Sequence, residues 1–163
     1  MEEMFKVIFS NLWGYDMLIF ITAGINLFVF LYAKSRSARL YDTLHPTAKT
    51  VTKLSEAKVV DMRKSSNSAY SMYINITSIF PLLGILGTVL SLLKMAEDMS
   101  NVQLNFFGAL TSTFWGLIFA ILYKLVDGRL ASVIDDNEKT VAFYLERTTI
   151  KRASLEVEAE KEK

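Results

Sequence analysis

From Met72 to Leu93 the chain reads MYINITSIFPLLGILGTVLSLL, without one charged residue. A helix rises about 1.5 Å per residue, so this run is roughly 33 Å long and matches a hydrocarbon core of about 30 Å. Pro81, Gly84, Gly87 and Thr88 interrupt the Leu and Ile near its middle. Such residues are tolerated at membrane depth where neighbouring helices cover the backbone or a cavity lies beside it. The small and polar residues Thr77, Pro81, Gly84, Thr88 and Ser91 follow one another in steps of four and three. Those steps keep to one helix face, and the opposite face is Ile, Leu and Phe. The run therefore predicts a span with one face pressed on protein or a pore, not a bare anchor.

Two further runs have the same character. Met17 to Ala33, MLIFITAGINLFVFLYA, gives roughly 26 Å of helix, so tilt or the preceding turn completes the crossing. Asn26 stands mid-span, where an amide is expected to hydrogen-bond to another helix. In residues 105–126, Gly108, Ser112, Gly116 and Ala120 recur every fourth position, flanked by Thr111 and Thr113. Small residues at that spacing let helix backbones approach closely, because lipid supplies no hydrophobic drive for association. The lead 1–16, with Trp13 and Tyr15, reads as an amphipathic segment at the interface. Acidic residues come first and no small-residue cleavage site follows, so the first apolar run is expected to be retained as a span.

Charge sets the orientation. The apolar fraction is 52% and the mean hydropathy +0.29, yet 21% of residues are charged. The two facts coexist because the charges are confined to blocks between the apolar runs. Residues 34–71 hold Lys34, Arg36, Arg39, Lys49, Lys53, Lys58, Arg63 and Lys64, and the tail after Val126 holds seven more Lys or Arg. The connection 95–104 has no Lys or Arg and carries Glu97 and Asp98. The positive-inside rule then puts the N-terminus and connection 95–104 outside, and connection 34–71 and tail 127–163 in the cytoplasm. His45-Pro46 marks a turn. From Thr47 the spacing of Val51, Leu54, Val59 and Met62 is helical, and this helix either runs on into span two (72–94) or is broken at the serine-rich 65–68. Leu130, Val133/Ile134, Val141 and Leu145 predict an amphipathic helix packed against it, ending in the solvated charge run EVEAEKEK. The fold class is an all-α integral membrane protein. It has three transmembrane helices, N-terminus out and C-terminus in, with spans two and three extended into the cytoplasm.

The residue inventory narrows the chemistry. There is no cysteine, which excludes disulfides and thiol sites, and His45 is the only histidine. No metal site, cofactor or enzymatic activity is expected, for there is no phosphate loop, Ser/His/Asp set or paired carboxylates. The basic residues are interleaved with acids and follow the topology, so nucleic acid is not an expected partner.

Two segments carry a family likeness. PLLGILGTVLSLL, Pro81 to Leu93, resembles the proline–glycine–Gly-Thr-Val run of the TolQ and ExbB branch of the MotA/TolQ/ExbB proton channel family. ALTSTFWGLIFAI, Ala109 to Ile121, resembles the family's A-L-x-x-T-x-x-G-L run, and Thr113 to Gly116 leans toward the MotA branch. The resemblance implies a homopentameric ring in a bacterial inner membrane, enclosing two copies of a single-span partner like ExbD, TolR or MotB. An Asp in the partner's span would bind the ion, and its protonation cycle would drive rotation. It places the pore-facing threonines at Thr88 and Thr113, with Thr77, Pro81, Gly84, Gly87, Ser91, Gly108, Ser112 and Gly116 lining the pore or packing the helices. Helix rise agrees: Thr88 lies roughly 9 Å below Lys94, and Thr113 roughly 12 Å below Asn105. At one level, two hydroxyls can hydrogen-bond a partner carboxylate that would be costly to leave bare in lipid.

There are departures. Gly108 stands where ExbB and TolQ carry a Glu, Ile121 replaces a later proline, and the connection 34–71 is too short for the torque-generating insert of MotA. Apart from Asp16 at the edge of span one, the spans have no carboxylate, so the subunit is not expected to conduct ions alone. The alternative reading of the same residues is a passive oligomeric scaffold, with the glycines serving close packing and each threonine bonded to its own helix.

Overall fold

The structure is a computed structural model that describes residues 14–45, 55–97, 99 and 102–161. The expected interfacial lead before Gly14 and the helix start at Thr47 lie outside those residues. Three helices make up the described chain: α1, Asp16–Leu44; α2, Glu56–Glu97; and α3, Val102–Lys161. Each contains a stretch long and apolar enough to cross a membrane. In lipid an unpaired N–H or C=O costs several kcal/mol, which a helix avoids by pairing them within itself. The serine-rich 65–68 does not break α2, which runs unbroken from Glu56 through Pro81. Nor does α1 end with its apolar run, as the sequence suggested; it continues through KSRSARL to Leu44. Good helix formers such as Leu, Arg, Ala and Lys carry it across the change from apolar to charged. His45 follows as a bend, its ring stacked on Tyr41 at 4.4 Å.

The chain divides into two units, and every helix contributes a segment to each. Among the described residues, the apolar unit falls within 14–31 and 71–128. In it α1 buries Ile19, Ala23 and Asn26, α2 buries Tyr73, Thr77 and Phe80, and α3 buries Ala109, Ser112 and Tyr123. These positions recur at threes and fours, the seam spacing of packed helices. The other faces keep Phe28, Leu82, Ile85, Leu110 and Ile121 exposed, as suits contact with lipid. Phe80 corrects the sequence reading, which set all phenylalanine of α2 opposite the small-residue stripe. It is fully buried on the stripe itself, stacked on Tyr123 at 5.4 Å. Its carbonyl oxygen lies against Gly116 of α3.

Three polar ties close this unit. Tyr123 donates to the Ala23 carbonyl of α1 at 2.5 Å, and Tyr73 of α2 donates to the Tyr123 carbonyl at 2.6 Å. The Asn26 amide donates to the Thr77 hydroxyl at 2.9 Å, which fulfils the expectation that it bonds to another helix. Thr77 passes its own proton to the Tyr73 carbonyl at 2.9 Å. Each interhelical bond of this kind is worth about 0.6 to 2 kcal/mol in a bilayer.

The second unit, described within residues 32–45, 55–70 and 129–161, buries apolar side chains on one side and exposes charged ones on the other. Leu40, Val59 and Val141 form its buried core, with Met62, Tyr144 and Leu145 packed around them. That is the expected pairing of the segment after Val126 with the one before span two, joined by the unforeseen end of α1. Within it Asn137 donates to the carbonyl and hydroxyl of Ser37, each at 3.0 Å. Arg63 and Asn67 of α2 both bond Glu138 of α3, the Arg63 Nε at 2.9 Å. That pairing holds the Glu138 carboxyl below its ordinary range, chiefly through the hydrogen bond from Arg63.

Candidate functional site

Of the residues singled out in the sequence, Gly84, Gly87, Thr88, Ser112, Thr113 and Gly116 meet at the seam between α2 and α3. Gly116 marks the tightest approach of backbone to backbone: a Cβ there would stand 2.7 Å from the Phe80 carbonyl oxygen and 2.9 Å from Gly84 Cα. Gly84 is nearly as close, its Cβ position lying 3.1 Å from Thr113 Cα and 3.2 Å from the Ser112 carbonyl oxygen. Backbone thus meets backbone, which is what small residues on facing stripes permit. A Cβ on Gly87 would overlap the Ser112 side chain at 2.5 Å and the Tyr15 ring at 2.6 Å.

This closeness brings Thr88 and Thr113 together. Their hydroxyls are in direct hydrogen-bond contact, each half-buried. Thr88 Oγ1 lies 3.1 Å from the carbonyl oxygen of Gly84 in its own helix and 3.1 Å from that of Ala109 across the seam. Thr113 Oγ1 mirrors it, 3.4 Å from Ala109 in its own helix and 3.4 Å from Gly84 opposite. Four oxygens from two helices therefore meet in one knot. Two hydroxyl protons serve it, and each hydroxyl has more acceptor capacity than the knot uses. The equal depth inferred from helix rise and the own-helix bond of the alternative reading are both present. Either hydroxyl can release its carbonyl to donate elsewhere, since Gly84 and Ala109 keep their ordinary helical acceptor role.

The remaining residues fall into two groups. Thr77, Gly84, Gly87, Ser112 and Gly116 are buried in the seams, whereas Pro81, Ser91 and Gly108 are half-buried. Thr77 serves the Asn26 tie rather than the threonine knot. The Gly108 carbonyl accepts from Thr111 at 3.0 Å and from Ser112 at 3.1 Å.

One participant was not recognised from the sequence. Asp16 opens α1 with only 1% of its surface exposed, and Ser112 donates to its Oδ1 at 2.5 Å. Its signal was an acid immediately before an apolar run, a pattern shared with exposed first-turn acids that suit the positive end of a helix. At the other end of the unit Asp127 is also buried, with Lys124 paired to it at 2.9 Å. Among the described residues no group of three acids, histidines or cysteines is placed to hold a metal.

The site is thus a polar knot held between closely packed apolar helices, in a protein with three membrane-spanning helices. Neither a curated protein nor a solved structure matches the chain. The family comparison does: the chain belongs to the MotA/TolQ/ExbB proton channel family, whose sequence model matches residues 27–142.

Proposed function

We propose that this chain is the ring-forming subunit of a bacterial inner-membrane motor, coupling proton flow to mechanical work through a single-span partner that carries a membrane Asp. The observation that carries this reading is the knot of Thr88 and Thr113, two half-buried hydroxyls in contact at one depth. A partner carboxyl arriving beside them would meet two donors that already share their protons between alternative acceptors. Swapping one acceptor for another changes little for the hydroxyl, while the carboxylate gains a hydrogen bond it lacks in lipid. The carboxyl can then be held while ionised and released once protonated. Membership of a proton channel family supports the ion and the class of work. Five copies around two partners, with the N-terminus outside, follow from the family resemblance and the Lys/Arg distribution.

Glycine and threonine have separate tasks in this reading. Gly84 and Gly116 set the helix separation, and the hydroxyls do the chemistry. Thr88→Val and Thr113→Val keep the side-chain shape and remove only the hydroxyls. Each variant should assemble and extract from membranes like the parent, yet lose proton-driven work when expressed with its partner. If both stay active, the chain acts as a scaffold and not through this pair. Native mass measurement of the purified complex tests the ring itself.

A further inference from the structure

We infer that the junction of Asn26, Thr77 and Pro81 is a binding site for one water molecule inside the membrane, held between two acceptors that no described protein group serves. The first acceptor is a backbone carbonyl. Pro81 lies inside the continuous helix α2, and proline has no N–H to give to the carbonyl four residues back, which is that of Thr77. The proline ring also clashes with that carbonyl and turns it out of the helical ladder. Thr77 is 7% exposed, so bulk solvent does not serve the carbonyl instead. The second acceptor is Oδ1 of Asn26, a fully buried residue, and this atom has no protein partner. The Asn26 amide nitrogen lies 2.9 Å from Thr77 Oγ1, so both acceptors belong to one pair of touching residues.

The hydroxyl protons of the junction are already committed. Thr77 gives its proton to the Tyr73 carbonyl, Tyr73 to that of Tyr123, and Tyr123 to that of Ala23. The nearest other polar side chains of α2, Asn75 and Ser78, are exposed. Two acceptors without a donor are the complement of a water molecule, which brings two O–H groups and is retained where two or more buried polar partners await it. Left bare, both acceptors would stay unpaired in an apolar surround, a state that buried polar groups rarely keep. A metal cation fits less well, because it needs several oxygens to replace its hydration shell and residues 72–93 of α2 supply no carboxylate. The water ties α1 to α2 where Pro81 interrupts the backbone ladder. Thr77 and Thr88 are eleven positions apart (88 − 77), roughly 16 Å along the helix. The site is therefore separate from the threonine knot and does not rest on the motor reading.

Water-edited solid-state NMR of the full chain, isotope-labelled with carbon-13 and nitrogen-15 in lipid vesicles, tests this by following magnetisation from water protons into carbonyl carbons. The Thr77 carbonyl carbon and Asn26 Cγ should receive it early, before the carbonyl carbons of Ile79 and Phe80 in the same helix. Pro81→Ala restores the missing N–H and should abolish early transfer to the Thr77 carbonyl, although the exchangeable Thr77 hydroxyl remains. Asn26→Leu removes the other acceptor and should have the same effect, so the test stands even where one variant fails to fold. Absence of early transfer at both carbons overturns the inference; a turned Asn26 amide, giving its own N–H to the Thr77 carbonyl, would produce that result. Early transfer to Thr77 that persists in Pro81→Ala overturns it too. So does loss of the transfer at both carbons on adding Na+, which would mark a cation site. Thr88→Val and Thr113→Val should leave the pattern unchanged whatever they do to proton-driven work, so failure of the motor reading and failure of this one are distinguishable.

Discussion

Gly116→Ala and Gly128→Ala, two identical changes in α3, should act in opposite directions. At Gly116 the new methyl would stand 2.7 Å from the Phe80 carbonyl oxygen, 2.9 Å from Gly84 Cα and 3.0 Å from Gly84 nitrogen. Ordinary contact begins near 3.4 Å, so the worst approach is short by about 0.7 Å (3.4 − 2.7). All three atoms are backbone, which has no rotamer to swing aside. Overpacking of this sort costs about 1–3 kcal/mol, and a clash against backbone belongs at the upper end. Alanine returns about 0.8–1.0 kcal/mol of helix propensity, leaving a net loss of about 2 kcal/mol. At Gly128 nothing lies within 4 Å, so only the propensity gain remains. Unfolding in mixed detergent micelles, followed by circular dichroism, measures both against the parent. The reasoning fails if Gly116→Ala is as stable as the parent, or if both substitutions shift stability the same way.

Two further outcomes are expected. The Arg63–Glu138 pair holds the Glu138 carboxyl below its ordinary value of 4.5. Its stabilisation is thus fully present at neutral pH and fades as pH falls through the lowered value; Glu138→Gln should flatten that part of a thermal-stability profile, and an unchanged profile would remove the pair from the account. For the Asn26–Thr77 tie, Thr77→Val alone should destabilise more than Asn26→Leu with Thr77→Val, because the single change strands a buried amide whose Oδ1 already lacks a protein partner; a double-mutant cycle in detergent unfolding checks the order, and additivity would refute it.

Much of this arrangement is legible in the chain because apolar runs and small-residue steps are one-dimensional signals. The three spans, the stripe from Thr77 to Ser91, the ladder from Gly108 to Ala120 and the common depth of Thr88 and Thr113 all follow from spacing. What spacing leaves open is which neighbour fills a given gap. Phe80 falls on the stripe, where its ring stacks on Tyr123 of α3, and that is a fact about two helices together. Asp16 could not be told from an exposed first-turn acid until Ser112 was seen to reach it. The continuation of α1 to Leu44 was hidden for another reason. Its seam residues Ala33, Ser37 and Leu40 sit among Lys34, Arg36 and Arg39, and a charge block reads as a connection although one face of it is buried.

In the function proposed above, the glycines and the threonines of the α2–α3 seam form one device, not a packing motif with hydroxyls added. A threonine on a lone helix bonds its own carbonyl four residues back and is thereby occupied. Here each hydroxyl also reaches the carbonyl of the opposite helix, Thr88 to Ala109 at 3.1 Å and Thr113 to Gly84 at 3.4 Å. That reach exists only because Gly84 and Gly116 let the two backbones touch. Each hydroxyl thus has an own-helix and a cross-helix carbonyl at like distance, and in the function proposed above a partner carboxylate would compete with these weak alternatives. Widening the seam would leave both threonines in place and return each to its own helix. On the motor function proposed above, Gly116→Ala therefore carries a consequence beyond stability: it should impair proton-driven work even in membranes where the variant still assembles. A variant that assembles, is destabilised and works at the parental rate would separate the glycines from the site and reduce them to packing.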